Sequence, residues 1–139
     1  MEGIISSDAI CDTEITPIPA ERWHAIINDG IYEFGSLRVR ENGISLMLIN
    51  PPGDIGVFDC IEVIVDGQKA TNVSVRVALK EPDFHPVSKE TPLEFCPGER
   101  IEIRIDGIKL EEGRHRFDII LYDSSIPEKC WVSFIDEVI

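Results

Sequence analysis

From residue 31 onward, the chain contains short stretches in which apolar and polar residues alternate with a period of two. The clearest stretch runs from Glu99 to Asp106, where Ile101, Ile103 and Ile105 alternate with charged residues. This pattern is typical of a β-strand that buries one face and exposes the other. Similar stretches cover residues 37–39, 44–49, 61–65, 73–77, 117–121 and 130–135. The chain is therefore predicted to contain about seven or eight strands.

Turn residues separate these stretches. Asn42-Gly43, Asp66-Gly67 and Asp106-Gly107 are dipeptides that favour tight hairpin turns, because their residues tolerate positive φ. Helical periodicity is confined to one weak turn within residues 20–27. Short strands without intervening helices predict an all-β fold, namely an antiparallel two-sheet sandwich of the immunoglobulin-like kind, with a barrel as the alternative.

Two segments depart from the strand pattern. Residues 1–30, which include Pro17 and Pro19, are predicted to form an N-terminal arm, so that residues 31–139 form the sandwich domain. The segment from Lys80 to Gly98 carries four prolines, which block strand pairing and predict a long loop. Loops of this length are often functional, although their aromatic side chains can also fold back onto the sandwich.

Charge and cysteine content narrow the function classes. The 139 residues suffice for one domain, and 13 Lys and Arg against 26 Asp and Glu give a formal charge of −13. Nucleic acid and anionic membranes would be repelled, so neither is an expected partner. The N-terminus has no signal-peptide pattern, which predicts a cytoplasmic location and reduced thiols at Cys11, Cys60, Cys96 and Cys130. Two disulfides are the alternative for an exported protein.

No local motif for catalysis, cofactor binding or metal binding is found in the chain. His24, His85 and His115 are isolated from one another, and His115 is predicted to be a partly buried structural residue. The prediction is therefore a chain without catalytic, cofactor or metal residues of its own that acts by binding a partner. Aromatic residues in the arm, the long loop and the last strand are the candidate interface residues: Trp23, Phe84, His85 and Trp131.

A family resemblance adds to this interpretation. The motifs are a strand from Phe58 closing in Val65-Asp66-Gly67, an aromatic turn over residues 93–99, and a Leu-x-x-Gly-x-His pattern over residues 110–115 that leads into the next strand. In order and spacing, residues 31 to about 123 resemble the small beta subunit of bacterial C-glycoside deglycosidases.

The resemblance implies a noncatalytic subunit of a cytoplasmic hetero-oligomer that cleaves the carbon–carbon bond between a sugar and a flavonoid-type aglycone. The larger alpha subunit would resemble a sugar-phosphate isomerase barrel and hold the divalent metal, expected to be manganese. That subunit would act on a 3-keto-glucosyl substrate by proton abstraction and elimination. No catalytic position of the family falls on this chain.

Two other functions stay open at this point. A stand-alone carbohydrate-binding or interaction sandwich would stack its aromatic residues on sugars. A small independent enzyme would use carboxylates or His24 and His85, which could meet only in space.

Overall fold

The computed structural model describes residues 31–49, 56–125 and 129–139. These residues form ten β-strands in antiparallel sheets and contain no helix, hence none that could span a membrane. The strands are β1 (Arg38–Arg40), β2 (Gly43–Ile49), β3 (Gly56–Phe58), β4 (Cys60–Val65), β5 (Gln68–Lys69), β6 (Val73–Val77), β7 (Leu93–Phe95), β8 (Arg100–Asp106), β9 (Gly113–Tyr122) and β10 (Lys129–Val138). The predicted all-β, antiparallel fold is confirmed.

Two four-stranded sheets share one apolar core. The first sheet has the order β1-β2-β8-β6 and the second the order β10-β9-β4-β5, while β3 and β7 form a small third pair. Buried and partly exposed positions alternate along β8, whereas β9 is buried at seven consecutive positions, 116–122, so that both of its faces are buried there. The inward residues of both sheets belong to a single cluster. On β8 they are Ile101, Ile103 and Ile105, which are 0% exposed, as the period-two pattern predicts.

Two of the three turn dipeptides form the predicted hairpins, one of them with a shift. The prediction is wrong for Asp106-Gly107, because β8 ends there and the chain crosses to β9 in the other sheet instead of turning back to pair with β8. Asp66 and Gly67 both have positive φ, 51° and 84°, and connect β4 to β5. At the first hairpin Arg40 pairs with Gly43, so the turn lies at residues 41 and 42 and Gly43 belongs to β2. A Cβ on Gly43 would overlap the backbone carbonyl oxygen of Ile105. Gly43 is thus required by the close approach of β8.

The number of strands in the described residues exceeds the prediction because three strands of two or three residues each, β3, β5 and β7, were not predicted. One of these, β7, lies inside the segment from Lys80 to Gly98 and pairs with β3, so that segment is only partly a loop. Its Leu93 is 1% exposed and belongs to the core. The prolines interrupt strands on either side, but three residues between Pro92 and Pro97 are free to pair.

The cysteines depart from the prediction of four reduced thiols. Cys60 is disulfide-bonded, whereas Cys96 is a free thiol. The prediction is therefore wrong for Cys60. Distance along the sequence does not limit disulfide formation, because pairing of strands brings remote residues together.

Candidate functional site

The outer face of the first sheet is rich in arginine. Because the isoleucines of β8 point into the core, the residues between them point outward, and the same alternation applies to β1 and β6. Two carboxylates, Glu102 and Asp106, occupy outward positions of β8. We call the outward arginines of this sheet the arginine face; they are Arg38, Arg40, Arg76, Arg100 and Arg104. Five of the eight arginines of a chain with a charge of −13 thus lie on one face.

Phe84 packs onto this face. The guanidinium carbons of Arg76 and Arg104 lie 4.7 and 4.9 Å from the centre of its ring. Both distances allow a cation–π interaction. Arg76 also donates to the Pro82 carbonyl oxygen at 3.1 Å and pairs with Glu102, which fixes the loop on the sheet. The arrangement presents an aromatic ring flanked by two partly exposed cations.

His85 fastens the same loop to the edge of β6. Its backbone N–H and C=O exchange hydrogen bonds of 2.9 Å with Val75. The imidazole contacts the Pro86 carbonyl oxygen at 2.7 Å and a carboxylate oxygen of Glu81 at 3.2 Å. Glu81 in turn accepts a hydrogen bond from the N–H of Val77. The backbone and ring of His85 therefore hold the loop in place.

Trp131 lies on the opposite side of the sandwich. It alternates along β10 with the core residues Val132 and Phe134, and 44% of its surface is exposed. Its indole N–H donates to Oδ1 of Asp118 at 3.2 Å. The indole is therefore anchored through its polar edge, while much of its surface stays accessible.

Asp118 is the centre of a buried polar cluster on the second sheet. Arg116 donates to both of its carboxylate oxygens, at 2.8 and 2.7 Å, and Ser133 Oγ donates at 2.6 Å. Burial alone would raise the pKa of Asp118, but hydrogen bonds from Arg116, Ser133 and Trp131 outweigh it and hold that pKa below its usual range. The Asp118 carboxylate is thus ionised at neutral pH and orients Trp131.

A second buried carboxylate lies on this face. Glu62 is 2% exposed and pairs with Nζ of Lys69 at 3.1 Å, but neither of its oxygens has a well-formed hydrogen bond. Nη1 of Arg116 likewise lacks a hydrogen-bond partner. Buried polar groups of this kind are uncommon in folded proteins and are costly. The outer face of the second sheet thus carries buried polar groups beside a second buried apolar cluster, which consists of Cys60, Ile64, Ile120 and Tyr122.

His115 lies beside an open cleft of about 700 Å³ between the β4–β5 hairpin and residues 107–111. Nδ1 lies 2.6 Å from Oδ2 of Asp66, and Nε2 lies 2.7 Å from the Glu111 carbonyl oxygen. Burial alone would lower the pKa of His115, but these two hydrogen bonds raise it above its ordinary value. Both ring nitrogens face acceptors of the chain itself, so the ring has a structural role and neither nitrogen is directed at a substrate.

The structure does not bring the predicted interface residues together. Phe84 and His85 lie on the side of the first sheet and Trp131 on the second, while Trp23 is outside the described residues. The arginine face and the Asp118 cluster were not predicted. The sequence did contain a signal for the arginine face, because Arg100 and Arg104 alternate with isoleucines that are predicted to be buried. Within the described ranges, no group of three or more His, Cys, Asp or Glu residues is placed to hold a metal ion.

Comparison with known proteins yields one family. The family model described as hydroxymethylglutaryl-CoA reductase, N-terminal domain, matches residues 29–126, which is well over half of the 139-residue chain and runs from β1 through β9. A search among curated proteins found no match.

The first prediction concerns the buried ion pair. The Asp118→Ala variant leaves Arg116 buried without its partner, which should cost about 3–5 kcal/mol of unfolding free energy. Urea denaturation measures this loss. The matched control is Glu102→Ala, which removes the partly exposed partner of Arg76 and should cost no more than about 1 kcal/mol. Equal losses in the two variants would contradict a structural role for the Asp118 cluster.

The second prediction concerns pH. Because the pKa of His115 is raised in the folded chain, its protonation stabilises the fold fully below the unfolded pKa of about 6.5 and ceases to do so as pH rises through the folded pKa. We expect the urea midpoint of the wild type to fall over this interval. His115→Gln should lose that part of the pH dependence, and Asp66→Asn should weaken it. An unchanged slope in His115→Gln would show that another group is responsible.

Proposed function

Because the chain belongs to the hydroxymethylglutaryl-CoA reductase N-terminal domain family, whose description names one domain of a larger enzyme, we propose that it is a noncatalytic β-sandwich that binds a larger catalytic chain. The specific assembly we propose is a bacterial C-glycoside deglycosidase. In it this chain is the small subunit, and the larger chain cleaves the sugar–aglycone carbon–carbon bond of 3-keto C-glucosides. The divalent metal, manganese, belongs to the larger chain.

The motifs over residues 58–67, 93–99 and 110–119 support the deglycosidase assembly. They lie within the stretch that the family model matches, so both likenesses concern the same part of the sandwich. The structure places the first motif on β4 and its hairpin, the second on β7 and the turn before β8, and the third at the start of β9. The motifs therefore follow strands and connections of one domain.

The observation that carries the proposal is the arginine face with Phe84 on it. Arginine and aromatic residues are enriched among the residues that contribute most to protein–protein binding. Four of its five arginines pair with Glu33, Glu102 or Asp106, so the face keeps an excess of positive over negative charge and favours an acidic surface of the partner. Preformed contacts of Phe84 with Arg76 and Arg104 reduce the ordering that binding requires.

The third prediction tests this surface in the reconstituted complex. We expect Phe84→Ala and Arg104→Glu each to raise the Kd for the larger chain by at least about tenfold, as expected for residues at the centre of an interface. Calorimetry with the purified larger chain measures the change. Arg114→Glu makes the same charge change at an exposed position of β9, on the other sheet, and should leave binding unaltered.

The enzymatic activity of the reconstituted complex distinguishes the deglycosidase assembly from the enzyme that the family description names. Cleavage of a 3-keto C-glucoside that requires both chains would support the deglycosidase proposal. Reduction of hydroxymethylglutaryl-CoA by the same complex would instead support the enzyme that the family description names. If the larger chain cleaves its substrate equally well alone, the proposed subunit function is wrong.

We place the complex in the cytoplasm, and the disulfide at Cys60 provides the test. A reducing cytosol opens most disulfides, so in the fourth prediction the Cys60 disulfide of the structure is reduced in the cell and forms only on oxidation after lysis. Cys60 of protein taken from its native cells then reacts with an alkylating reagent added at lysis together with denaturant, which is needed because Cys60 is 1% exposed. Mass spectrometry of the alkylated peptide measures this, with free Cys96 as the internal control. If Cys96 is alkylated and Cys60 is not, the result would favour an oxidising compartment.

The second candidate function is carbohydrate binding by the isolated chain. The half-exposed Trp131, held at its indole nitrogen by Asp118, favours it because an anchored indole can stack on a sugar ring. Titration of the isolated chain with oligosaccharides measures this activity, and Trp131→Phe should weaken any binding found.

A further inference from the structure

The strand β10 is a long, open edge of the second sheet. It has ten residues and pairs with β9 on one side, and no described strand pairs with its other side. Other edges are short or covered, since β5 has two residues and β6 is bridged by His85. A long open edge presents a row of unpaired backbone N–H and C=O groups that can pair with another strand.

The pairing pattern shows which backbone groups of β10 face outward. The Arg116 carbonyl oxygen accepts a hydrogen bond from the N–H of Asp66, so even-numbered residues of β9 direct their backbone groups toward β4. Odd-numbered residues of β9 then face β10, where they pair with even-numbered residues such as Val132. The backbone groups of Trp131, Ser133 and Ile135 consequently point to the open edge.

Glu137 provides an independent check of this assignment. It has the same parity as Ser133, and its N–H donates to Oδ1 of its neighbour Asp136 at 2.7 Å rather than to β9. The N–H of Glu137 is thus already occupied and is the first of the outward backbone groups that cannot pair with a new strand. The open part of the edge is centred on Ser133.

We infer that β10 pairs with β10 of a second copy of this chain, antiparallel and centred on Ser133. Two antiparallel copies form hydrogen-bonded pairs only between residues whose backbone groups point outward, and this register satisfies that condition for the pairs within residues 131–135. Ser133 lies opposite Ser133, and Trp131 lies opposite Ile135 of the other copy. The second sheets of the two copies, with four strands each, then form one continuous sheet of eight strands.

The residue types along β10 favour a second copy over an unrelated strand. In the middle the partly exposed Trp131 and Ile135 form apolar cross-strand pairs on the same face. A strand whose apolar positions are complementary to themselves suits a twofold symmetric contact.

The fifth prediction measures the mass of the full chain by sedimentation over about a hundredfold range of concentration, because self-association follows mass action. We expect the mass to rise from 15.6 kDa toward twice that value. Ile135→Lys should raise the dimer Kd by at least about tenfold, since it places charge at an edge position. Ile139→Lys is the matched control, because Ile139 is fully exposed beyond the end of β10 and should leave the dimer intact.

Amide hydrogen exchange of the unmodified chain tests the register without a variant. At high concentration the amides of Trp131, Ser133 and Ile135 should be protected, and dilution should remove that protection while Val132 stays protected by β9. A chain that remains monomeric throughout, or a dimer without concentration-dependent protection at these amides, would overturn the inference. Neither result bears on binding of the larger chain, which is measured separately at the arginine face.

Discussion

The two large sheets must cover each other's apolar faces, and the central strands β8 and β9 carry most of that task. Their inward residues are buried in the shared cluster: Ile101, Ile103, Ile105, Phe117, Ile119 and Leu121. Side chains in a strand alternate between faces, so the inward positions also determine which residues point outward. A register shift of one residue would turn the arginine face into the core and expose the isoleucines. The interaction surfaces are therefore consequences of core packing.

The long strands could be predicted from the sequence, and the short ones could not. Alternation over residues 99–106 or 117–121 is long enough to be distinguished from chance, whereas β3, β5 and β7 have two or three residues each. The position of the first turn depended on a contact between β2 and β8 that only the folded chain contains. Cys60 illustrates the same limit, because a disulfide depends on distances in space rather than along the chain.

The surfaces were partly visible in the sequence. Phe84 and Trp131 stood out by residue type, but the arginines that flank Phe84 come from β6 and β8 and are 28 positions apart in the chain. The Arg116 and Asp118 pair has a local signal, since residues two apart in a strand share a face. The sequence contained no signal that this face is buried. Burial changes an ordinary surface ion pair into an internal ion pair that is costly to desolvate.

The attachment of His85 to Val75 divides the long connection after β6 into two parts with different physical character. Residues around His85 act as an additional strand position of the first sheet, while Ser88 to Thr91 form a separate local turn closed by their own hydrogen bonds. Backbone cleavage within that turn would leave the edge of β6 covered and Phe84 in place. Cleavage before His85 would instead release the segment that covers the edge of β6. Whether the fold tolerates a backbone cleavage therefore depends on which of these few neighbouring positions is cut.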